Sequence, residues 1–370
     1  MVGPATSSVG GREADREFMR LALFHAARGA GRTSPNPMVG CLVVSPAGVI
    51  VGTGYHERAG EAHAEVRALA AAGARARGAT LYCTLEPCSH RGRTGPCAPA
   101  VAEAGVTRVV AATEDPNPLV AGRGIAYLRE HGVAVDLGVG AEAAARLNAA
   151  FFTAMREHRP HVTMKVATSV DGRVSAAPGS RTALSGPEST RYVQRLRAEL
   201  DAIAVGSGTL RIDDPVLTVR EVYRERPLAR VVLDRRLRTQ PGARVFGTLA
   251  CGPVLVATTE AACARQPAAV SALQEAGAEI VATPTGAWSE VLGALAACDI
   301  RSVLLEGGPT VQRAAWEAGL VDRVIAIVTP HVIGEGGVPW DVPADLAGLI
   351  TGVEPCGADV VLVGDVHRTH

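Results

Sequence analysis

The chain is poor in lysine, in aromatic rings and in net charge. Only Lys165 among its 37 basic residues is a lysine, aromatic residues make up 4% of the sequence, and 37 acidic residues cancel the basic ones. Single-stranded nucleic acids are held by basic grooves and stacking rings, so this composition argues against nucleic acid as a partner. It equally lacks the positive excess that draws a protein to an anionic membrane surface. The longest stretch without a formal charge, Thr33 to Tyr55, is broken by Pro35, Pro37, Pro46 and four glycines, which excludes a bilayer helix there. The segment GREADREFMR at 11–20 alternates charges where a secretory signal needs an apolar core, so a cytoplasmic protein is expected. Its eight cysteines then read as thiols or metal ligands rather than a disulfide framework. No GxGxxG follows a strand pattern, so a Rossmann dinucleotide site is not indicated.

What is present is enough apolar material for packed cores: 47% hydrophobic residues in a chain of 370, without the low-hydrophobicity signature of disorder. That length suggests two domains. In the first half, Met38–Ser45 and Val49–Gly54 read as a hairpin around Pro46-Ala47-Gly48. A helix over Glu61–Ala72 and a buried strand over Ala79–Leu85 follow. Helices at Ala98–Ala104, Gly124–His131 and Ala141–Arg156 alternate with strands at Arg108–Ala112 and Val133–Leu137. This pattern predicts a mostly parallel sheet covered on both faces. The charged, proline-bearing REHRPH at 156–161 marks a boundary, giving domains 1–158 and 159–370. The second half is again α/β. Its strands are expected at Met164–Ser169, Ala202–Val205, Ala229–Leu233, Val254–Ala257, Ser302–Leu305, Arg323–Val328 and Val360–Gly364. Helices are expected at Pro187–Arg197, Ala268–Ala276 and after Gly308. No repeat relates the two halves.

The sharpest local signal is His63-Ala64-Glu65, followed by Glu86-Pro87-Cys88 and then Cys97. One imidazole and two thiolates leave a fourth tetrahedral position open, as a catalytic zinc requires and a structural zinc does not. Zinc brings the pKa of a water in that position to about 7, and a nearby carboxylate that is not a ligand can shuttle protons. Glu65, two residues from His63, is the candidate for that carboxylate. The pattern matches the H-x-E and P-C-x-x-C arrangement of zinc deaminases, except that eight residues, Ser89 to Pro96, separate the cysteines. That polar, glycine-bearing insert is suited to loop over a pocket. Isolated His and Cys residues are more often buried spectators, but this spacing beside a glutamate outweighs that reading.

Two glycine-bearing turns in the second half follow strands: Gly206-Ser207-Gly208-Thr209 and Glu306-Gly307-Gly308-Pro309-Thr310. Such turns at helix N-termini present free N–H groups to anions, although each alone is a weak signal. Lys165 is unusual for a different reason. In a chain that otherwise uses arginine, a retained lysine suggests a place where a compact ammonium is needed and a wide guanidinium does not fit.

These motifs, with Pro35-Asn36-Pro37, Val39-Gly40-Cys41 and Asp115-Pro116-Asn117-Pro118, resemble the deaminase half of the bifunctional riboflavin-biosynthesis deaminase-reductases. The series Lys165, Ser169-Val170-Asp171-Gly172-Arg173, Asp213-Asp214-Pro215, Leu217-Thr218-Val219-Arg220 and the Glu306 run resembles their reductase half, across most of residues 160–370. The resemblance implies a cytidine-deaminase-like three-layer sandwich followed by a dihydrofolate-reductase-like α/β domain. It implies Zn2+ on His63, Cys88 and Cys97, proton transfer by Glu65, and substrate contacts from Asn36, His56, His90, Arg93 and Asp115. For the second half it implies NADPH contacts from Ala167, Thr209, Asp213, Gly308, Pro309 and Thr310. Substrate contacts there would come from Arg197, Leu217, Arg220 and Glu306, and catalytic roles would fall to Lys165 and Asp213. The implied substrate is a phosphoribosyl aminopyrimidine, first deaminated and then reduced from ribosyl to ribityl, and a homodimer is expected. One departure stands out. Ala183 occupies the place where that family shows a tryptophan, which bears on one wall of the reductase pocket. A deaminase with a degenerate reductase half, a nucleic-acid base deaminase and a zinc-stabilised binding module are the competing readings.

Overall fold

A computed structural model describes residues 9–89, 95–118, 120–340 and 346–366. The chain divides into two compact units, one reaching to Glu157 and the other starting at His158.

The first unit runs α1 (Val9–Ala27), β1 (Gly40–Val44), β2 (Ile50–Tyr55), α2 (Ala64–Ala72), β3 (Thr80–Cys83), α3 (Cys97–Glu103), β4 (Arg108–Ala111), α4 (Arg123–Glu130), β5 (Ala134–Leu137), α5 (Ala141–Leu147) and α6 (Ala149–Glu157). Its five strands lie in the order β2-β1-β3-β4-β5. β1 is antiparallel to both β2 and β3, and only β3-β4 and β4-β5 are parallel, so the sheet is mixed rather than mostly parallel. Alternation along the strands sends side chains to opposite faces, and both faces are apolar. Cys41, Val43, Leu81 and Val109 pack with Ala64, Ala68, Val101 and Leu128 on one side. Leu42, Val44, Tyr82 and Val110 pack with Met19, Ala22 and Ala144 on the other. Helices on both faces make the three-layer sandwich.

Two local expectations are corrected, and one helix was not anticipated. The helix expected from Glu61 begins at Ala64, because His63 adopts an extended backbone as its N-cap. The helix expected over Ala141–Arg156 is two helices. They part at Asn148, whose amide accepts from the Met38 N–H (2.7 Å) and donates to the Met38 carbonyl (2.8 Å). Those two bonds to a distant backbone outweigh helix continuity there. Residues 9–27, read only for their charges, form α1, whose Met19 and Ala22 stripe is buried against the sheet.

The second unit runs β6 (His161–Ser169), β7 (Arg173–Ser175), α7 (Pro187–Glu199), β8 (Ala202–Gly206), α8 (Ser207–Asp213), β9 (Ala229–Leu233), β10 (Val254–Thr259), α9 (Glu260–Arg265), α10 (Pro267–Glu275), β11 (Ala278–Thr283), α11 (Trp288–Ala297), β12 (Ser302–Leu305), α12 (Pro309–Glu317), β13 (Arg323–Thr329), β14 (Val338–Pro339), β15 (Ile350–Cys356) and β16 (Asp359–Asp365). Nine strands form one sheet, ordered β11-β10-β9-β8-β12-β6-β13-β16-β15. The strands from β11 to β13 pair in parallel, and the β15-β16 hairpin closes one edge antiparallel. Separate apolar clusters cover the faces: Met164, Ala204, Leu255, Leu292 and Leu305 in one, Ile203, Val205, Val232, Val256 and Leu273 in another. β8 and β12 are parallel neighbours, so the two glycine-bearing turns at their C-terminal ends come out side by side. In open α/β sheets that edge is where ligands bind.

Candidate active sites

In the first unit, the site depends on how closely α2 lies on β2. A Cβ at Gly52 or Gly54 would collide with the carbonyls of Ala68 and Ala64, so glycine at both positions lets the helix settle on the strand. His63 caps that helix, and Glu65 sits in its first turn with 3% of its surface exposed. Cys88 follows β3, and its carbonyl accepts from the Ala98 N–H (3.0 Å), which ties it to the start of α3, where Cys97 is the first residue. His63 Nδ1 lies 3.5 Å from Cys88 Sγ and 3.3 Å from Cys97 Sγ, and the three donor atoms lie within 4.8 Å of one another. Tetrahedral zinc, with Zn–S near 2.3 Å and Zn–N near 2.0–2.1 Å, places N and S donors about 3.5 Å apart. The donor set therefore fits a zinc ion in both chemistry and spacing.

The electrostatics suit the same use. A hydrogen bond from Cys97, and against burial one from His63, hold the Cys88 thiol well below the usual thiol range. The hydrogen bond to Cys88 raises His63. Burial, and then the charge of Cys88, push the Glu65 carboxyl up to about 7, which leaves it able to take and return a proton near neutrality. Around this centre, Asn36 Nδ2 and His56 Nε2 are 3.2 Å apart, and the His56 and His63 rings meet edge-on with centroids 5.4 Å apart. Burial lowers the pKa of His56 and favours the neutral ring. Asp115 is buried, and its carboxyl is raised to about 6 chiefly by that burial, with Glu86 and Cys88 adding to it. Its Oδ1 accepts from the Asn117 N–H. His90 and Arg93 lie outside the described residues.

The residue missed here is Glu86. Its two oxygens accept from four backbone N–H groups, those of Asp115, Gly122, Gly124 and Ile125, at 2.8 to 3.2 Å. It fastens the start of α4 and the Asp115 turn to the segment that carries Cys88. Its place two residues before a ligand, in a motif otherwise made of Pro and Cys, was the available signal.

In the second unit the turns at Gly206 and Gly307 open α8 and α12. A Cβ on Gly308 would lie 3.7 Å from Thr209 Oγ1, and one on Gly208 would meet nothing within 4 Å. Together they form an open cradle lined by Thr209, Gly308, Pro309 and Thr310. Asp213 ends α8 with a buried Oδ1 that has no partner. An open cradle of backbone N–H groups beside an orphaned acceptor fits a nucleotide cofactor. Lys165 lies on β6, one step beyond the Leu305–Met164 pair and thus level with Glu306; Ala167 follows on the same face. Arg197 grips Glu306 with Nε and Nη2 (2.7 and 2.8 Å) and donates from Nη1 to the Thr218 carbonyl. Burial pushes Glu306 up, but Arg197 and Lys165 together bring it below the usual carboxylate range; burial lowers Lys165. Arg220, which also lowers Glu306, has an exposed side chain and a backbone N–H bound to Gln194 Oε1 (2.8 Å). Leu217 is buried with a left-handed backbone, φ 53°. Ala183 is exposed. Gln312, unmarked in the sequence, is buried and joins the Lys165 carbonyl to Trp340 Nε1 (2.9 and 3.1 Å).

Comparisons with known proteins match both units. Residues 12–113 match the cytidine and deoxycytidylate deaminase zinc-binding region, and residues 160–362 match the RibD C-terminal domain. The riboflavin biosynthesis protein RibD of Aquifex aeolicus is 41% identical over 88% of this chain and 89% of its own length. That of Escherichia coli is 41% identical over 86% and 89%. The structure of Acinetobacter baumannii RibD superposes with a TM-score of 0.85 at 35% identity, covering 96% of this chain and 99% of its own. A Thermotoga maritima diaminohydroxyphosphoribosylaminopyrimidine deaminase/5-amino-6-(5-phosphoribosylamino)uracil reductase gives 0.83 at 30% identity, with the same coverage. A zinc-type deaminase site in one unit, a RibD-type domain as the other, and relatives that align along almost the whole length place this chain in the RibD family of riboflavin-biosynthesis proteins.

Proposed function

We propose that the two units act in sequence on one molecule. Residues 1–158 deaminate 2,5-diamino-6-(5-phosphoribosylamino)pyrimidin-4(3H)-one, and residues 159–370 reduce the deaminated product with NADPH to 5-amino-6-(5-phosphoribitylamino)uracil. The observation that carries this reading is the three-donor set His63, Cys88 and Cys97 with a buried, non-ligating Glu65 beside it.

His63, Cys88 and Cys97 hold Zn2+, which supplies Lewis-acid activation of the attacking water. Glu65 takes a proton from that water and delivers it to the departing amino group, so that C–NH2 and water become C=O and ammonia; a carboxyl near 7 serves both directions. Asn36, neutral His56 and buried Asp115 line the approach to His63 and Cys88, where they meet the polar edge of the pyrimidine. His90 and Arg93 belong to the same proposed contact set.

In the reductase unit, Thr209, Asp213, Gly308, Pro309 and Thr310 hold NADPH with Ala167 alongside, and the bound cofactor supplies the hydride. Lys165 donates to the sugar from the strand beside Glu306. Because Arg197 is committed to Glu306 and Thr218, it acts by fixing Glu306, whereas the exposed Arg220 is left to meet the phosphate beside Leu217. A homodimer is part of this reading, and light scattering tests it.

The test is incubation with the diaminopyrimidine phosphate, with and without NADPH, followed by mass measurement. Deaminated product alone without NADPH, and a product two hydrogens heavier with it, supports the reading. Deamination in both arms with no reduced product assigns the chain to a deaminase with an inactive second unit, a reading that exposed Ala183 favours. No deaminated product in either arm defeats both.

A further inference from the structure

Between α8 and β9, Asp214, Leu217 and Glu221 take left-handed backbone, with φ of 39°, 53° and 61°. In that region a Cβ crowds the carbonyl oxygen, so such bends persist only where the surroundings over-determine them. The segment 214–228 contains no helix or strand of its own to do so.

What holds it is α7, which exchanges three sets of hydrogen bonds with it. Arg197 donates from Nη1 to the Thr218 carbonyl (3.1 Å). Gln194, buried on α7, accepts from the Arg220 N–H with Oε1 (2.8 Å). Arg224 reaches back from the loop, and its Nη1 donates to the carbonyls of Arg197, Ala198 and Leu200 at the end of α7 (2.9, 2.7 and 2.7 Å). A helix leaves its last carbonyls without partners and its C-terminus partly negative, so a guanidinium suits that place twice over. Nε and Nη2 of the same side chain donate to the Arg226 and Pro227 carbonyls (2.6 and 3.0 Å), which folds the end of the segment around it. Arg197 also grips Glu306, so the helix that fixes the loop fixes the carboxylate as well.

The bonds at 220 and 224 bracket the bend at Glu221, and those at 218 and 220 follow the bend at Leu217. Arg220 stands between them with its backbone bound and its guanidinium exposed, close enough for its charge to act on Glu306. A cation carried on a loop costs less to order on binding when the backbone beneath it is already fixed.

We infer that Gln194 and Arg224 are positioning residues, which lock the 214–228 segment onto α7 and so set the place at which Arg220 meets the phosphate of the reductase substrate. The inference rests on the reductase reading of the second unit and adds residues that touch neither substrate nor cofactor.

The test is NADPH oxidation by the full chain with 5-amino-6-(5-phosphoribosylamino)uracil and with the same compound lacking its phosphate. In wild type KM is on the order of 10²-fold lower for the phosphorylated compound, and Arg220→Ala removes most of that advantage. Gln194→Leu raises KM for the phosphorylated compound about tenfold, with kcat and the KM of the phosphate-free compound unchanged. Gln194→Glu keeps an acceptor and recovers most of the loss. Arg224→Met acts in the same sense as Gln194→Leu, and Arg224→Lys, which lacks the fork, does not restore wild-type KM. Placed on Arg220→Ala, Gln194→Leu adds nothing further, because its effect runs through Arg220. An equal rise in KM for both compounds, a fully additive loss in the double variant, or a wild type that does not distinguish the two compounds overturns the inference and leaves the reductase reading standing. Wild type that reduces neither compound overturns the reductase reading itself, and the inference with it.

Discussion

The two units are built on one plan and carry their chemistry in different ways. Each is a sheet with apolar side chains on both faces and helices packed against them. The first gathers its candidate groups close together, from residues 63, 65, 88 and 97, each with a side chain of the type a zinc deaminase site would require. The second spreads its candidate groups from position 165 to 310, and much of its cradle is backbone. A metal centre demands particular donor atoms and so leaves a motif, whereas a nucleotide cradle demands N–H groups at strand ends, which many sequences provide.

Variants that disable one half and spare the other test this comparison most directly. Cys88→Ser should remove zinc and take deamination to background, while NADPH oxidation with pre-deaminated substrate persists; elemental analysis together with both assays reads this. One zinc per chain in that variant would contradict the assigned ligands. Glu65→Gln should keep the metal and lose deamination by on the order of 10²–10⁴, the range for a positioned acid-base group. Equal loss of both activities would show that the halves are not independent.

Lys165→Arg reverses the pattern. It keeps the charge but replaces a compact donor with a wider fork, and a misplacement of about 1 Å costs on the order of 10² in rate. NADPH oxidation should fall by about that factor while zinc content and deamination stay at wild-type levels. A wild-type rate in both Lys165→Arg and Lys165→Ala would make the residue a bystander.

The smallest expected effect concerns stability. His161 is buried in the second unit, and burial lowers its pKa to about 4. Because the folded pKa lies below the unfolded value near 6.5, the fold favours the neutral ring. That stability is intact above about pH 6.5 and is lost as pH falls toward 4, by at most about 3 kcal/mol. Asp322 adds to the acid loss at lower pH: burial pushes its carboxyl up, but the hydrogen bonds from Arg159 hold it below its usual value. All three tryptophans, Trp288, Trp316 and Trp340, belong to this unit, so their fluorescence follows its unfolding selectively. His161→Gln should flatten the fluorescence-detected stability between pH 6.5 and 4, and an unchanged slope would exclude His161 as its source.

Several features were legible in the residues themselves because short-range chemistry fixes them. Ala229–Leu233 and Ser302–Leu305 are strands over the expected residues, since short apolar runs bounded by turn formers have few alternatives. His63, Cys88 and Cys97 could be marked as candidate ligands because zinc restricts its ligands to a few side chains, and Glu65 as the carboxylate beside them that is not a ligand. What needed the tertiary structure depended on partners far away in sequence. Asn148 breaks a helix because the Met38 backbone, 110 residues earlier, offers it two hydrogen bonds. Glu86 clamps the Asp115 turn and the start of α4 across 29 to 39 residues, and Arg197 reaches Glu306 across 109. The order of the nine strands, which sets the glycine turns at 206 and 307 side by side, follows from which parallel strands pair. Local sequence fixes what each segment prefers, but the burial that decides which segments meet belongs to the assembled chain.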